Sequence, residues 1–480
     1  MPNSTGWPDT PPQAPTAARK PHASTHHGKT IEDPYHWLRD PGYPEVTDPE
    51  ILAHLEAENA YFEKVMAPHQ ALIDTLRNEI KGRMAQDDRS VPVQDGDFAY
   101  YWAFEKGAQY RRWYRCLPDA DPSPGDMMIL DEPALAASYP YFQLRALETS
   151  ADGSALLWSA DLDGSERCEI HHVDLTGEKA SEKRPTNTSG AMCFAADAKG
   201  FFYVELSAEL RPYRVLYQSL QDPQLEAREI YRETDPAFFV SISKSTSGQF
   251  LFITSADHVT SEVRFLPLDA DQPNLKLISA RRPSHEYHVD HGSGDFHILT
   301  NDQHRNFRLV RAPIDTPDEA HWDETVAASD AVLLRSAQAF SNAVVLAERE
   351  NALDHVRILD PMSGGSGSRV SFPEEAYSLR VGANRMPTLS RLRLHYESMV
   401  TPPTTFDFDL ESNNLITRKV QDIPSGYDPS LYQTKRLMAR AGDGAMVPVS
   451  FVERVDRQTA GPIHLYAYGA YGHGMSPGFS

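Results

Sequence analysis

The sequence predicts a mainly β fold: a seven-bladed β-propeller, preceded by helices and followed by the first strands of an α/β-hydrolase domain. Three observations carry this. Near residue 90 the spacing of apolar residues changes from about 3.6 to 2. From there to about residue 410, one unit recurs seven times: a turn, an apolar strand, a polar loop and a second strand. Residues 461–480 then join an apolar stretch to a loop of glycines and tyrosines.

Residues 1–24 are rich in Pro, Ser, Thr and Ala without periodicity and read as a disordered tail. An N-terminal helical segment follows over 25–84. It opens on the compact aromatic turn Asp33-Pro34-Tyr35-His36-Trp37-Leu38-Arg39-Asp40. Asp48-Pro49 has the form of an N-cap with Pro at the first helical position. Leu52, Leu55, Phe62, Val65 and Met66, then Leu72, Ile73, Leu76 and Ile80, keep helical spacing to Gly82, and Pro68 splits the run into two helices.

The propeller is expected over 85–424. The apolar strands that open its units begin at Phe98, Ala155, Phe201, Phe250, Phe296, Ala343 and Leu392, roughly 46 to 57 residues apart. Asp95-Gly96, Asp152-Gly153, Lys199-Gly200 and Ser247-Gly248 supply turns before several of them. A series of β-sandwiches is the weaker alternative, because one spacing holds over all seven units. Ser363-Gly364-Gly365-Ser366-Gly367-Ser368 is a flexible loop and no phosphate cradle, since no Lys-Ser/Thr follows it.

Residues 425–480 read as the incomplete start of a second domain. Arg436-Leu437-Met438-Ala439-Arg440, Asp443-Gly444 and Val447-Pro448-Val449-Ser450-Phe451 form a hairpin pattern. Pro462-Ile463-His464-Leu465-Tyr466 reads as a short buried strand running into Ala467-Tyr468-Gly469-Ala470-Tyr471-Gly472-His473-Gly474. A buried strand feeding a Gly-rich loop is how an α/β-hydrolase reaches its oxyanion hole, where a Tyr hydroxyl can meet developing negative charge.

Totals narrow the function. A chain of 480 residues exceeds one ordinary core. A net charge of -22 excludes phosphate-binding nucleic-acid partners; it suits a cationic substrate, though plain solubility is the larger expectation. Three cysteines without CxxC spacing argue against a disulfide scaffold or a zinc site. Neither a signal peptide nor an apolar membrane span is visible, so a cytoplasmic location without membrane partners is expected. No cofactor is implied.

In several separate stretches, in order, the chain resembles the prolyl oligopeptidase family of serine peptidases, most closely its oligopeptidase B branch. They are the turn at 33–40; Thr260-Ser261-Glu262-Val263-Arg264; His285-Glu286-Tyr287 with Tyr396-Glu397-Ser398-Met399-Val400-Thr401-Pro402; Asp443-Gly444 with Val447-Pro448-Val449-Ser450; and the loop at 466–472. The resemblance runs from about Pro21 to Ser480. It implies a seven-bladed propeller capping an α/β-hydrolase domain, with residues 25–84 packed on the hydrolase. It implies a serine-type endopeptidase that cleaves short peptides after basic residues, with the propeller excluding folded proteins. Tyr468 falls where the family's oxyanion-hole Tyr sits and is the catalytic candidate. The Ser, Asp and His of the triad come later in such proteins and are absent here. The sequence is therefore expected to be the front portion of a longer enzyme, inactive alone. Basic-specific relatives carry acidic residues just after the Tyr-Gly motif; here Ser476 and Gly478 stand there.

Other constellations carry less. Gly474-Met475-Ser476-Pro477-Gly478 matches G-x-S-x-G, but Pro477 has no N–H to give an oxyanion hole, so Ser476 is rejected as nucleophile. His285, His288 and His291 with Asp290 suggest a metal cluster, yet strand alternation turns His288 away from the other two; blade packing is preferred and no metal is expected. The pairs His26-His27 and His171-His172 carry no ligand signal, and the aromatic strands are read as core. Glu348-Arg349-Glu350 and Arg281-Arg282 read as solvated blade edges. Two competing functions remain: a non-catalytic propeller that binds a partner, and a prolyl-specific oligopeptidase of the same family. Oligomeric state is left open.

Overall fold

A computed structural model of the chain describes residues 12–43, 45–177, 185–222, 224–269, 274–362, 367–471 and 474–480. Backbone contacts divide it into two units: residues 1–85 with 423–426, and residues 86–422 with 427–480. Residues 1–11 of the expected tail and 363–366 of the Gly/Ser loop lie outside the described residues.

The first unit carries a hairpin, Ala23–His26 with Lys29–Glu32, that the sequence reading did not anticipate. A turn of 3-10 helix over His36–Leu38 follows. The Asp40 carboxylate accepts from the backbone N–H groups of Gly42 (2.7 Å), Thr47 (2.8 Å) and Asp48 (3.0 Å). These donors, Asp48 foremost, hold its pKa below the ordinary carboxylate value. That bend presents Asp48 as the cap of helix α1, Pro49–Met66, whose first N–H groups, on Glu50 and Ile51, donate to its side chain. A 3-10 turn at Ala67–His69, containing Pro68, separates α1 from α2, Gln70–Gly82. Leu52, Leu55, Phe62, Leu72, Leu76 and Ile80 are exposed on these helices, while Ile51 is buried.

The second unit is almost entirely antiparallel β. Seven separate blades were expected, and the structure corrects that. Five sheets stand as blades of four or five strands, over 88–131, 239–279, 287–326, 332–369 and 377–420. The two units expected over 143–232 are instead joined in one seven-stranded sheet. The join is the pairing of Cys168 with Thr188, where the Thr188 hydroxyl donates to the Cys168 carbonyl at 2.9 Å. A ladder contact there leaves no break between the two halves.

The expected apolar strands all form, but each is the second strand of its unit. Before Phe250–Ala256 comes Phe239–Lys244, and before Val344–Glu350 comes Val332–Ala339. Only the second and third strands of a blade have neighbours on both edges. They therefore carry the continuous apolar runs, while the first strand leaves an edge toward the propeller axis and alternates with polar residues.

Between blades the core is apolar and interdigitated. Phe296, fully buried, meets Phe250, Phe252 and Phe265 edge to face, with ring centroids 5.4, 5.8 and 4.7 Å away. At the tight turn before Ala155–Asp161, Gly153 has φ +68°, and a Cβ there would lie 2.7 Å from the Phe98 ring. The first and last blades share no strand pairing. They are joined by side chains: Arg385 to Asp95 (3.1 Å), Arg391 to Asp119 (3.2 Å), Lys419 to Asp88, and Arg393 to the Pro92 carbonyl (3.1 Å).

Arg281 and Glu348 are not solvated edges. Glu348 is buried against Arg357 and Arg369. Arg281 donates to Glu233, 2% exposed, at 2.9 and 3.2 Å. Burial pushes the Glu233 carboxyl up, but Arg281, Ser255, the Asp235 N–H and Tyr231 together bring it down to about 2. A depressed carboxylate adds stability above its unfolded pKa and loses it as pH falls toward the folded value. Wild-type stability in urea should therefore drop as pH falls from about 4.3 to about 2, and Glu233→Gln should flatten that slope. The same variant, measured at neutral pH, should lose about 3 kcal/mol, because Arg281 is left without its partner.

Candidate functional site

After the last blade, Tyr427 anchors the chain: its hydroxyl donates to the Val400 carbonyl at 2.6 Å and its ring stacks on Tyr432. The predicted hairpin follows, Tyr432–Arg440 paired with Met446–Arg454. Its turn closes with the Gly444 N–H on the Ala441 carbonyl, and Gly444 takes φ +88°. Leu437, Met438, Met446, Val447 and Val452 remain exposed on it.

The buried strand expected at Pro462–Tyr466 does not form. That stretch is irregular, and Leu465 is 81% exposed. A strand needs a neighbour for its backbone groups, and no strand among the described residues pairs with this one. Beyond the hairpin, the expected hydrolase strands are therefore not seen. Tyr468 sits in this irregular stretch, 49% exposed. Gly472 and His473 of its loop lie outside the described residues.

The next segment, 474–480, is docked onto the propeller. A two-residue turn at Asn351 and Ala352, both at positive φ, sets Arg349 directly opposite Asp354. Asp354 is buried and accepts from Arg349 (2.7 Å) and from Arg335 (3.0 Å). Arg349 also donates to the Ser476 hydroxyl at 2.8 Å, and that hydroxyl reaches Asp354 at 3.4 Å. Pro477 is buried. The Phe479 N–H donates to Glu397 (3.1 Å), and the Phe479 ring meets Tyr427 edge-on. The Ser476 hydroxyl is thus occupied by an arginine and a carboxylate.

Sequence reasoning missed Arg349, Asp354 and Glu397 as neighbours of this loop, and no signal in the sequence offers them. They lie 82 to 127 residues away from the groups they bind. The histidines expected to pack do so separately: His285 Nε2 lies 2.9 Å from Thr300 Oγ1, and His291 Nδ1 lies 2.8 Å from Ser247 Oγ. Burial holds both below the ordinary histidine value.

The class defined by this fold is that of β-propeller proteins whose last blade runs on into a separate hairpin. The family follows from comparison. Residues 15–421 match the profile described as "Prolyl oligopeptidase, N-terminal beta-propeller domain", and the chain belongs to the prolyl oligopeptidase family of peptidases. It is 34% identical to "Dipeptidyl aminopeptidase BI" of Pseudoxanthomonas mexicana, over 97% of this chain and 66% of that protein. It is 29% identical to "Protease 2" of Moraxella lacunata, over 97% of this chain and 67% of that protein. Among solved structures, oligopeptidase B from Leishmania major superposes with a TM-score of 0.89 at 27% identity, covering 98% of this chain and 69% of that one. The chain thus spans about two thirds of the length of the curated relatives it matches.

Asp354→Ala removes the partner of two arginines and should cost about 3 kcal/mol in chemical denaturation. Ser476→Ala removes one hydroxyl and should cost about 1 kcal/mol, while speeding proteolysis within 474–480. Equal effects of the two substitutions would contradict the arrangement.

Proposed function

We propose that this chain is the propeller and N-terminal part of a serine-type oligopeptidase of the oligopeptidase B type, acting on short peptides after basic residues. The observation that carries the reading is the likeness to oligopeptidase B along 98% of the chain, at 27% identity. In this reading residues 425–480 begin an α/β-hydrolase domain, and residues 25–84 pack on it. The uncovered apolar residues of α2 and of the hairpin support that, since contiguous exposed apolar surface calls for a covering partner. The nucleophile Ser, with its Asp and His, would belong to residues other than these 480. His would take the proton of the attacking Ser, and Tyr468 would donate its hydroxyl to the oxyanion. The propeller would gate access, and the net charge of -22 would favour cationic peptides. A cytoplasmic location fits this reading; among the described residues no helix is long and apolar enough to cross a membrane.

A second reading is release of N-terminal dipeptides. It is favoured by the 34% identity to a protein named as a dipeptidyl aminopeptidase. It is also favoured by Ser476 and Gly478, which stand where basic-specific relatives carry acids.

The test is an assay of the full-length native protein on blocked Arg, Lys and Pro amides and on unblocked dipeptide amides. Preference for blocked Arg and Lys supports the first reading; preference for free N-termini supports the second. In either case Tyr468→Phe should lower kcat by about 100- to 1000-fold with little change in KM. An unchanged kcat would remove Tyr468 from the oxyanion hole.

A further inference from the structure

One face of blade 239–279 carries Phe250 and Phe265, and the cross-strand register sets Pro267 beside Phe250 and Lys276 beside Phe265. This face packs on the next blade, where Phe296 meets both phenylalanines edge to face. At the strand ends a cavity of about 390 Å³ opens between the two blades, within the range of about 300–1,000 Å³ that takes a small ligand. Phe250 and Phe265, both buried, and Ile314 of blade 287–326 give it an apolar floor. Its rim is charged. Asp269 stands just beyond the strand Ser261–Pro267, Asp315 just beyond Arg308–Pro313, and Lys276 opens Lys276–Ser279. All three are exposed, and among the described residues none of them enters an ion pair. The Lys276 ammonium lies 6.0 Å from the centre of the Phe265 ring, at the outer reach of a cation–π contact. The cavity sits where first strands turn into second strands and third into fourth. Residues 474–480 dock beside a turn between a second and a third strand, so the cavity opens at the opposite end of the propeller.

We propose that this cavity is a binding site for one basic side chain of a peptide, an arginine or a lysine. Such a side chain is apolar along its stem and charged at its tip. The stem lies along Phe250 and Ile314, and the tip reaches Asp269 and Asp315 at the rim. Two carboxylates against one ammonium, in a chain of net charge -22, favour a cation and repel an anion. Lys276 shows the fit within the chain, since its own ammonium rests over the Phe265 ring. It also competes, because an incoming cation must move it aside. The site goes beyond the peptidase reading and stands without it, since all of its residues belong to the propeller.

The test uses the full-length native protein and a photoreactive probe, the benzophenone amide of Nα-acetyl-arginine, with adducts mapped by mass spectrometry. Only adducts on residues 248–250, 265–269 and 314–315 are counted, which separates this cavity from any other site that takes arginine. Labelling there should saturate with the arginine probe. The citrulline analogue has nearly the same shape and no charge, and should bind about threefold more weakly or worse. Asp315→Asn should weaken the arginine probe about threefold. Lys276→Ala should tighten it by about as much, because a like charge and the cover over Phe265 are both gone. Raising NaCl from about 0.05 to about 1 M should weaken it. Equal labelling by arginine and citrulline, unchanged labelling in Asp315→Asn, or labelling not tightened by Lys276→Ala would overturn the site.

Discussion

The five separate blades share no strand ladder with their neighbours, so the ring is held by apolar packing, by isolated backbone bonds such as Ser341 N–H to the Pro387 carbonyl, and by side chains. Asp290 shows the constraint most clearly. Its carboxylate accepts from the Thr246 N–H (2.9 Å), the Thr246 hydroxyl (2.7 Å), the His291 N–H (2.8 Å) and the Ala339 N–H (2.8 Å). One side chain thereby fixes the first strands of three successive blades. Burial pushes its pKa up while these four donors oppose the rise. Gln338 continues the stitch by donating to the Asn384 carbonyl, and Arg385 carries it on to Asp95. Apolar packing between the blades supplies attraction; these polar contacts select which strand ends meet.

The loop after the hairpin uses the same device. Residues 474–480 bring no strand; buried Pro477 and the Phe479 ring pack there, and Arg349, Asp354 and Glu397 hold the segment by hydrogen bonds. Arg349 and Asp354 lock each other, which leaves a fixed guanidinium to receive Ser476. The loop carrying Tyr468 is thus tethered on one side by the hairpin and on the other by a polar clamp. The described part of its backbone, up to residue 471, is irregular.

Much of this was legible in the sequence, for physical reasons. Strands flanked on both edges are buried on both faces, so Phe250–Ala256 and Ala155–Asp161 announce themselves as apolar runs. The cap at Asp48 and the break at Pro68 are local chemistry and were readable. The first strands were missed because an edge toward the axis tolerates polar residues, as in Phe239–Lys244. The merging of two units through Cys168 and Thr188 rests on a single cross-strand contact and leaves no pattern. The strand expected at 462–466 shows the opposite failure: its composition suits a strand, but composition cannot supply a neighbour. The partners of Ser476 were hidden by distance along the chain.

The central claim is that this propeller belongs to a working serine peptidase. The most direct measurement is to treat the native protein from its source cells with a fluorophosphonate probe. The polypeptide bearing peptides of this sequence would then be isolated and its labelled residue mapped. The account predicts one labelled serine on that polypeptide, outside the 480 residues described, with labelling blocked by a short basic peptide. A folded native polypeptide that takes no label, or one labelled at Ser476, would contradict it.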